Sequence, residues 1–187
     1  MLDLDTLPSL TTARLELRAL TDADIPALFH LFSDPEALRY WSHGPFTREA
    51  QARELLERVQ AGLRQRQFYQ WGIARCDSGE LIGTCTLFNL HPTNRRAELG
   101  FMLSRGHWGR GLMREALERL LDFGFRDLGL HRLEADTDPG NTASNGLLER
   151  LGFRREGLLR QRWFVHGQWA DTVYWGLLRS ESQYGRP

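Results

Sequence analysis

The sequence predicts an α/β chain of the segregated α+β kind, a mixed and mostly antiparallel central sheet of about seven strands with four helices packed on it. Three observations predict it. Strand-like runs follow one another between residues 68 and 103 with only short turns between them, which makes them antiparallel neighbours. Segments near residues 25 and 112 instead repeat their apolar residues at helical spacing. The 187 residues hold no internal repeat, low-complexity segment or linker. All elements therefore belong to a single domain over 1–187, with 1–11 an N-terminal extension and 180–187 a C-terminal tail.

Element by element, Leu15, Leu17 and Ala19 alternate with Arg14, Glu16 and Arg18 as in a half-buried first strand. Ile25, Leu28, Phe29 and Phe32 form the apolar stripe of a first helix, behind acidic residues suited to its N-terminus. A loop with Trp41, Gly44 and Pro45 follows. Thr47 is then placed to cap a polar second helix whose stripe is Ala52, Leu56, Val59 and Leu63. Phe68 to Arg75, Leu81 to Leu90 and Arg96 to Leu103 read as three strands, joined by Asp77-Ser-Gly79 and His91-Pro-Thr-Asn94. Leu112, Met113, Ala116, Leu117, Leu120 and Leu121 mark the clearest helix, supported by Glu115 four residues before Arg119. His131 to Thr137 is a strand, and Ala143, Leu147, Leu148 and Leu151 mark a short helix ended by Gly152. Arg154 to Val165 and Thr172 to Leu178 are the last strands, flanking the turn His166-Gly-Gln168.

Composition removes several functions. With 24 basic and 24 acidic residues the net charge is zero, so no global field gathers nucleic acid or an anionic membrane. Every basic residue is Arg, which excludes a Schiff-base lysine and the lysine of a phosphate-binding P-loop. Met1-Leu-Asp-Leu-Asp5 carries acid where a signal peptide needs positive charge, and no apolar run approaches the ~20 residues that span a bilayer. The expectation is a soluble cytoplasmic protein with Cys76 and Cys85 reduced. The six His residues lack metal-ligand spacing, and there is no Cys cluster or Gly-x-Ser-x-Gly elbow, so no metal is expected.

The stretch Arg105-Gly-His-Trp-Gly-Arg-Gly-Leu-Met-Arg-Glu-Ala-Leu117 crowds three glycines ahead of the best helix. A helix N-terminus leaves four N–H groups unpaired and carries about half a positive charge, so backbone brought close to it binds phosphate oxygens. A tight strand-to-helix turn is the plainer reading of the same glycines. A dinucleotide fingerprint fits less well, because Gly106-x-x-Gly109-x-Gly111 inverts the glycine order and the preceding strand lies in an antiparallel meander.

Four segments together carry a resemblance over about Thr11 to Leu178: Thr12-Ala-Arg-Leu-Glu-Leu-Arg18, Ala97-Glu-Leu-Gly-Phe-Met-Leu103, Trp108-Gly-Arg-Gly-Leu-Met-Arg-Glu-Ala-Leu117 and Asn141-Thr-Ala-Ser-Asn-Gly-Leu-Leu-Glu-Arg-Leu-Gly-Phe153. The chain resembles the GNAT superfamily of acetyl-CoA-dependent N-acetyltransferases and, within it, the RimJ/RimL-like branch that modifies ribosomal-protein N-termini. In the superfamily's pyrophosphate loop, Q/R-x-x-G-x-G/A, Trp108 takes the first position, Gly111 the central glycine and Met113 the last. The resemblance implies that backbone N–H groups from Gly109 through Arg110, Gly111 and Leu112 to Met113 hold the pyrophosphate. Arg105 and Arg110 are candidates for added charge-assisted contacts to the phosphates. The resemblance implies that the thioester lies along the fourth strand of the sequence pattern, where backbone groups of Phe101, Met102 and Leu103 are free. It also implies that Asn141 bonds the pantetheine arm.

Acyl transfer from a thioester needs a neutral amine, a stabilised oxyanion and a leaving thiolate. An α-amine with a pKa of ~7.7–8.0 needs only a modest push at neutral pH, whereas a lysine side chain at ~10.4 needs much more. Glu98 points away from the apolar face of its strand and is the candidate base, since burial beside a substrate would raise its pKa. Many members of the resembling family protonate the thiolate with a Tyr seven residues after the Asn. Leu148 stands there, and Ser144 is the best substitute. Trp41, Trp71, Trp163 and Trp169 are candidates for an acceptor groove, and Asp171 for orienting the amine. The expected acceptor is a protein N-terminal α-amine, with a small amine (aminoglycoside or polyamine) or a catalytically silent acyl-CoA-binding protein as the alternatives, and a homodimer is a further expectation by analogy.

Overall fold

The computed structural model describes residues 4–165 and 167–185. The elements run β1 (Leu10–Thr11), β2 (Leu15–Arg18), α1 (Ile25–Ser33), α2 (Glu49–Arg64), β3 (Tyr69–Arg75), β4 (Leu81–His91), β5 (Arg96–Leu103), α3 (Leu112–Arg126), β6 (Arg132–Thr137), α4 (Thr142–Arg150), β7 (Arg154–Val165) and β8 (Gln168–Leu178). They form one sheet in the order β1-β2-β3-β4-β5-β6-β8-β7, antiparallel everywhere except between β5 and β6. This is the predicted α/β architecture with one more strand than expected.

The extra strand is β1, which pairs Leu10 with Leu17 and Thr11 with Glu16. Two residues carry too short a pattern to reveal a period, and only β2 beside them makes them a strand. The segment before it is also bound in: Leu4 is buried and its N–H donates to the Tyr69 hydroxyl at 3.4 Å. At the other end Gly185 N donates to Asp122 on α3 at 3.1 Å. Thr47 does not cap α2. Arg48 is the N-cap residue, and Gln51 Oε1 accepts from the Thr47 and Arg48 N–H groups at 2.8 and 3.1 Å. The last hairpin is longer than expected, because β8 begins at Gln168. His166, in the expected turn, lies outside the described residues.

The period of two sorts the sheet into unlike faces. Leu15, Trp71, Cys85, Leu87, Leu99, Leu133, Val173 and Trp175 join the α3 residues Leu117, Leu120 and Leu121 in the larger core. Each such side chain, fully withdrawn from water, stabilises by ~1.5–3 kcal/mol. On the opposite face α1 and α2 cover one half, packing Leu28, Phe32, Leu56 and Val59 against Leu20, Leu81 and Met102. The other half is polar. Register places Glu98 beside Glu134, Glu134 beside Gly176 on its other side, and Asp136 beside Tyr174.

Candidate active site

After β5 the chain turns through Arg105–His107 and reaches Gly109 and Gly111 with φ of 72° and 73°. That left-handed conformation costs other residues roughly 1–2 kcal/mol, which accounts for glycine at both positions. Gly111 is the N-cap residue of α3, and among the described residues no side chain caps the helix end. The first helical bond within α3 runs from Glu115 N to Gly111 O at 3.1 Å, so the N–H groups ahead of it have no partner within the helix.

Glu115 belongs to that first turn but is drawn aside. It accepts from Thr12 Oγ1 at 2.6 Å, Arg14 N at 2.9 Å and Arg14 Nε at 2.6 Å. Arg14 Nη1 also donates to the Arg110 carbonyl at 3.1 Å, and Arg14 Nη2 lies 3.7 Å from where a Cβ on Gly111 would stand. β2 thus clamps the glycine loop and leaves the helix N-terminus open to an anion. Burial pushes the Glu115 carboxyl up, but hydrogen bonds from Thr12 and Arg14 and the Arg14 charge outweigh it and hold the group below its ordinary value. The stability this confers is present above the unfolded carboxyl pKa of ~4.3 and is lost as pH falls through and below that value. Glu115→Gln should therefore lower the melting temperature at neutral pH and flatten its acid limb. An acid limb equal to that of the parent chain would show that the clamp carries no charge-dependent stability.

A second feature forms where β5 and β6 part. Their parallel pairing ends at Glu98 and Glu134. Because Ser104 N donates to Ile82 O at 2.8 Å, alternation turns the N–H groups of Met102 and Gly100 toward β4 and those of Phe101 and Leu103 toward the opening. Of the expected trio, then, Met102 offers no free backbone donor, and its side chain packs under α1 and α2. Trp108 Nε1 donates to the Leu103 carbonyl at 2.7 Å, so the indole is a brace of the groove.

A cavity of about 670 Å³ runs along this opening, lined by Phe101, Met102, Leu103, Trp108, Gly109, Gly111, Leu112, Met113, Asn141 and Ser144. Arg110 is not in the lining; it contributes its carbonyl to the clamp. Arg105 pairs with Asp34 at 3.2 Å, and His107 Nδ1 lies 2.7 Å from Ser104 Oγ. Asn141 caps α4, its Oδ1 accepting from Ser144 N at 3.2 Å, which leaves the side-chain amide donor for a ligand. Leu148 is fully buried, out of reach of any ligand.

A cavity of about 480 Å³ adjoins the first and holds Glu98, Asp136, Asp138, Asp171, Arg58, Arg162 and the aromatics Trp41, Phe88 and Trp163. Tyr40, Trp41, Phe101, Asn141 and Ser144 line both cavities and so mark their junction. Tyr40 spans it, its hydroxyl donating to the Gly140 carbonyl at 3.0 Å. Glu98 is 8% exposed and makes no hydrogen bond or ion pair with any described residue. Its charge is felt by Tyr174, whose hydroxyl is pushed above its ordinary pKa by burial first and then by Glu98 and Glu134.

Two expected acceptor aromatics are placed elsewhere. Trp71 is fully buried in the core with Nε1 bonded to the Pro8 carbonyl at 2.9 Å, while Trp169 is 64% exposed and outside the cavity lining. Asp171 lines the cavity, but its Oδ1 accepts from Gln161 N at 2.8 Å, where β7 bulges and Gln161 takes φ 49°. The expectation gave Tyr40 and Arg14 no role of their own. Arg14 lies in a quoted segment, yet its link to a residue 101 positions away has no local signal. Among the described residues no group of three His, Cys, Asp or Glu is arranged to hold a metal ion, and no helix is long and apolar enough to cross a membrane.

The family model described as Acetyltransferase (GNAT) domain matches residues 14–154. The uncharacterized N-acetyltransferase p20 of Bacillus licheniformis is 38% identical over 92% of this chain and 97% of its own. The spermidine N(1)-acetyltransferase of Escherichia coli strain K12 is 28% identical over 84% of this chain and 82% of its own. Among solved structures, the spermidine N-acetyltransferase from Vibrio cholerae in complex with CoA and spermine superposes with a TM-score of 0.81 at 26% identity, over 91% of this chain and 98% of that one.

Proposed function

The chain belongs to the GNAT family of acetyltransferases, and from that premise we propose that it acetylates the N-terminal α-amine of a peptide or protein, in the manner of the RimJ/RimL-like branch. The family's co-substrate is acetyl-CoA, which supplies a thioester carbonyl for a neutral amine to attack. The residues present suit it: two left-handed glycines and an uncapped helix end stand at one end of a groove whose other end meets the acceptor cavity.

In this reading the unpaired N–H groups at Gly111 to Met113 hold the pyrophosphate, and Arg14 adds positive charge beside them. The N–H of Phe101 or Leu103 polarises the carbonyl, a contribution of ~3 kcal/mol per donor in comparable oxyanion sites. Glu98 takes the amine proton, directly or through water. Ser144, at the junction with a hydroxyl that no described residue engages, donates a proton to the departing sulfur. With a thiol of pKa ~8.5, that donation is an aid rather than a requirement.

The observation that carries the acceptor class is the exposed rim of the second cavity. Trp163 lines that cavity, and Leu158, Leu159, Phe164 and Trp169 lie exposed on the same β7–β8 hairpin. Clustered exposed apolar residues mark surfaces that meet other proteins. Small polyamines are the second reading, because the cavity holds four carboxylates against two guanidinium groups. Thiol release from acetyl-CoA with peptides and with spermidine separates them: a higher kcat/KM for peptides supports the first, and a higher one for spermidine selects the second.

Cofactor binding is checked apart from turnover. Acetyl-CoA or CoA at ~100 times its dissociation constant should stabilise the fold by ~2.7 kcal/mol in thermal unfolding, and NAD should have no effect. A shift with NAD alone would return the glycine loop to the dinucleotide reading.

A further inference from the structure

Three carboxylates share the polar sheet face where β5 and β6 part, and only one of them is neutralised. Glu134 accepts from Arg96 Nη1 at 2.6 Å and Arg132 Nε at 2.7 Å. Glu98, its register neighbour, and Asp136, two residues farther along β6, make no ion pair with any described residue, although both line the acceptor cavity. Cations are within the same cavity. Arg162 lays its guanidinium over the Trp163 and Tyr174 rings, 5.6 Å from each centroid, and Arg58 makes no ion pair with a described residue. A carboxylate left without a cation in a partly closed cavity loses solvation that an incoming positive charge restores.

Asp136 is also held in place. Its Oδ2 accepts from Trp163 Nε1 at 3.0 Å and from Thr172 Oγ1 at 3.5 Å, and Thr172 is fully buried. No described residue donates to Oδ1, which is left for whatever the cavity admits. From Glu134 to Asp136 the strand advances by about 6–7 Å, so Asp136 stands one strand repeat beyond the register position of Glu98.

We propose that Asp136 recognises a second positive charge on the acceptor, a cation other than the amine that is acetylated. This rests on the acetyl-transfer reading above and deepens it. Glu98 already serves the reacting nitrogen as base, and a second carboxylate held against the same nitrogen would only favour its ammonium form and oppose attack. Set one strand repeat away from Glu98, Asp136 neutralises a non-reacting cation without that penalty. The shared chemistry is a compact cation a few bonds from the primary amine, either the far ammonium of a polyamine or a basic side chain at the second position of a peptide.

The test compares matched acceptors by thiol release: putrescine with butylamine, and a peptide carrying arginine at its second position with its neutral citrulline counterpart. The parent chain should prefer the dicationic member of at least one pair by about tenfold or more, as expected for a charge-assisted bond, and the responsive pair identifies the source of the cation. Asp136→Asn should abolish that preference through the acceptor KM, while the KM for acetyl-CoA follows the parent. Should that variant melt early, Asp136→Glu keeps the charge and should keep the preference. A parent chain with no preference in either pair overturns the assignment, and so does Asp136→Asn with its preference intact or with equal losses for all four acceptors. A parent chain that releases no thiol with any amine overturns the acetyl-transfer reading itself and this assignment with it.

Discussion

Glu98→Gln is expected to lower kcat by about 10²–10⁴-fold near pH 6–7 while leaving acetyl-CoA affinity intact. The substitution keeps the shape of a side chain that is 8% exposed and has no partner among the described residues, so packing should survive it. What it removes is the proton acceptor. An α-amine with a pKa of ~7.7–8.0 is only about 1–2% neutral at pH 6, and attack there depends on a nearby base. Near pH 9 most of the amine is already neutral, so the gap between variant and parent should narrow. A pH–rate profile of both proteins checks this, and parallel profiles with equal rates would reduce Glu98 to a structural residue. Loss of acetyl-CoA binding would instead show that the side chain shapes the groove.

Gly111→Val should weaken acetyl-CoA and CoA binding by about tenfold or more. At φ 73° a β-branched residue is held where its Cβ and carbonyl crowd, at roughly 1–2 kcal/mol, and the added methyl groups intrude on the uncapped end of α3. The same strain should lower the melting temperature by roughly 2–8 °C in a chain of this size. Gly106→Ala is the matched control, because Gly106 does not take positive φ and a Cβ there meets nothing within 4 Å. Titration of both variants with CoA separates a binding effect from a folding effect. Undiminished CoA affinity in Gly111→Val would leave these glycines with a turn to make and no phosphate to hold.

Legibility in the sequence followed locality. The faces of β2, β5 and α3 were readable because period-2 and helical spacing state directly which side chains turn inward, and the same reading put Glu98 opposite the apolar face. The glycine loop was readable because glycine is the residue that rests readily at φ near 70°, the conformation of both Gly109 and Gly111. β1 was not readable from two residues, and neither was the role of Trp71, whose apolar ring suits a core and a groove equally well. The resemblance assigned Met102 and Leu103 together, yet strand alternation turns their N–H groups in opposite directions. Arg110 was plausible by position alone. It is the backbone carbonyl of Arg110, bonded by Arg14, that serves the loop.

The sequence by itself determined the α/β class, through the order of its periodic segments, and the inward faces, the glycine-led helix start and the candidate base, each written within a dozen consecutive residues as a period, a backbone conformation or a charge. Only the tertiary structure decided what stands beside those groups. Thr12 meets Glu115 across 103 positions, Tyr40 reaches Gly140 across 100, and Asp136 is fixed by Trp163 across 27. Such contacts exist because the sheet returns distant segments to one place, through the parallel crossover from β5 to β6 and the antiparallel β6-β8-β7 pairing, and no local pattern encodes which distant side chain that return will deliver.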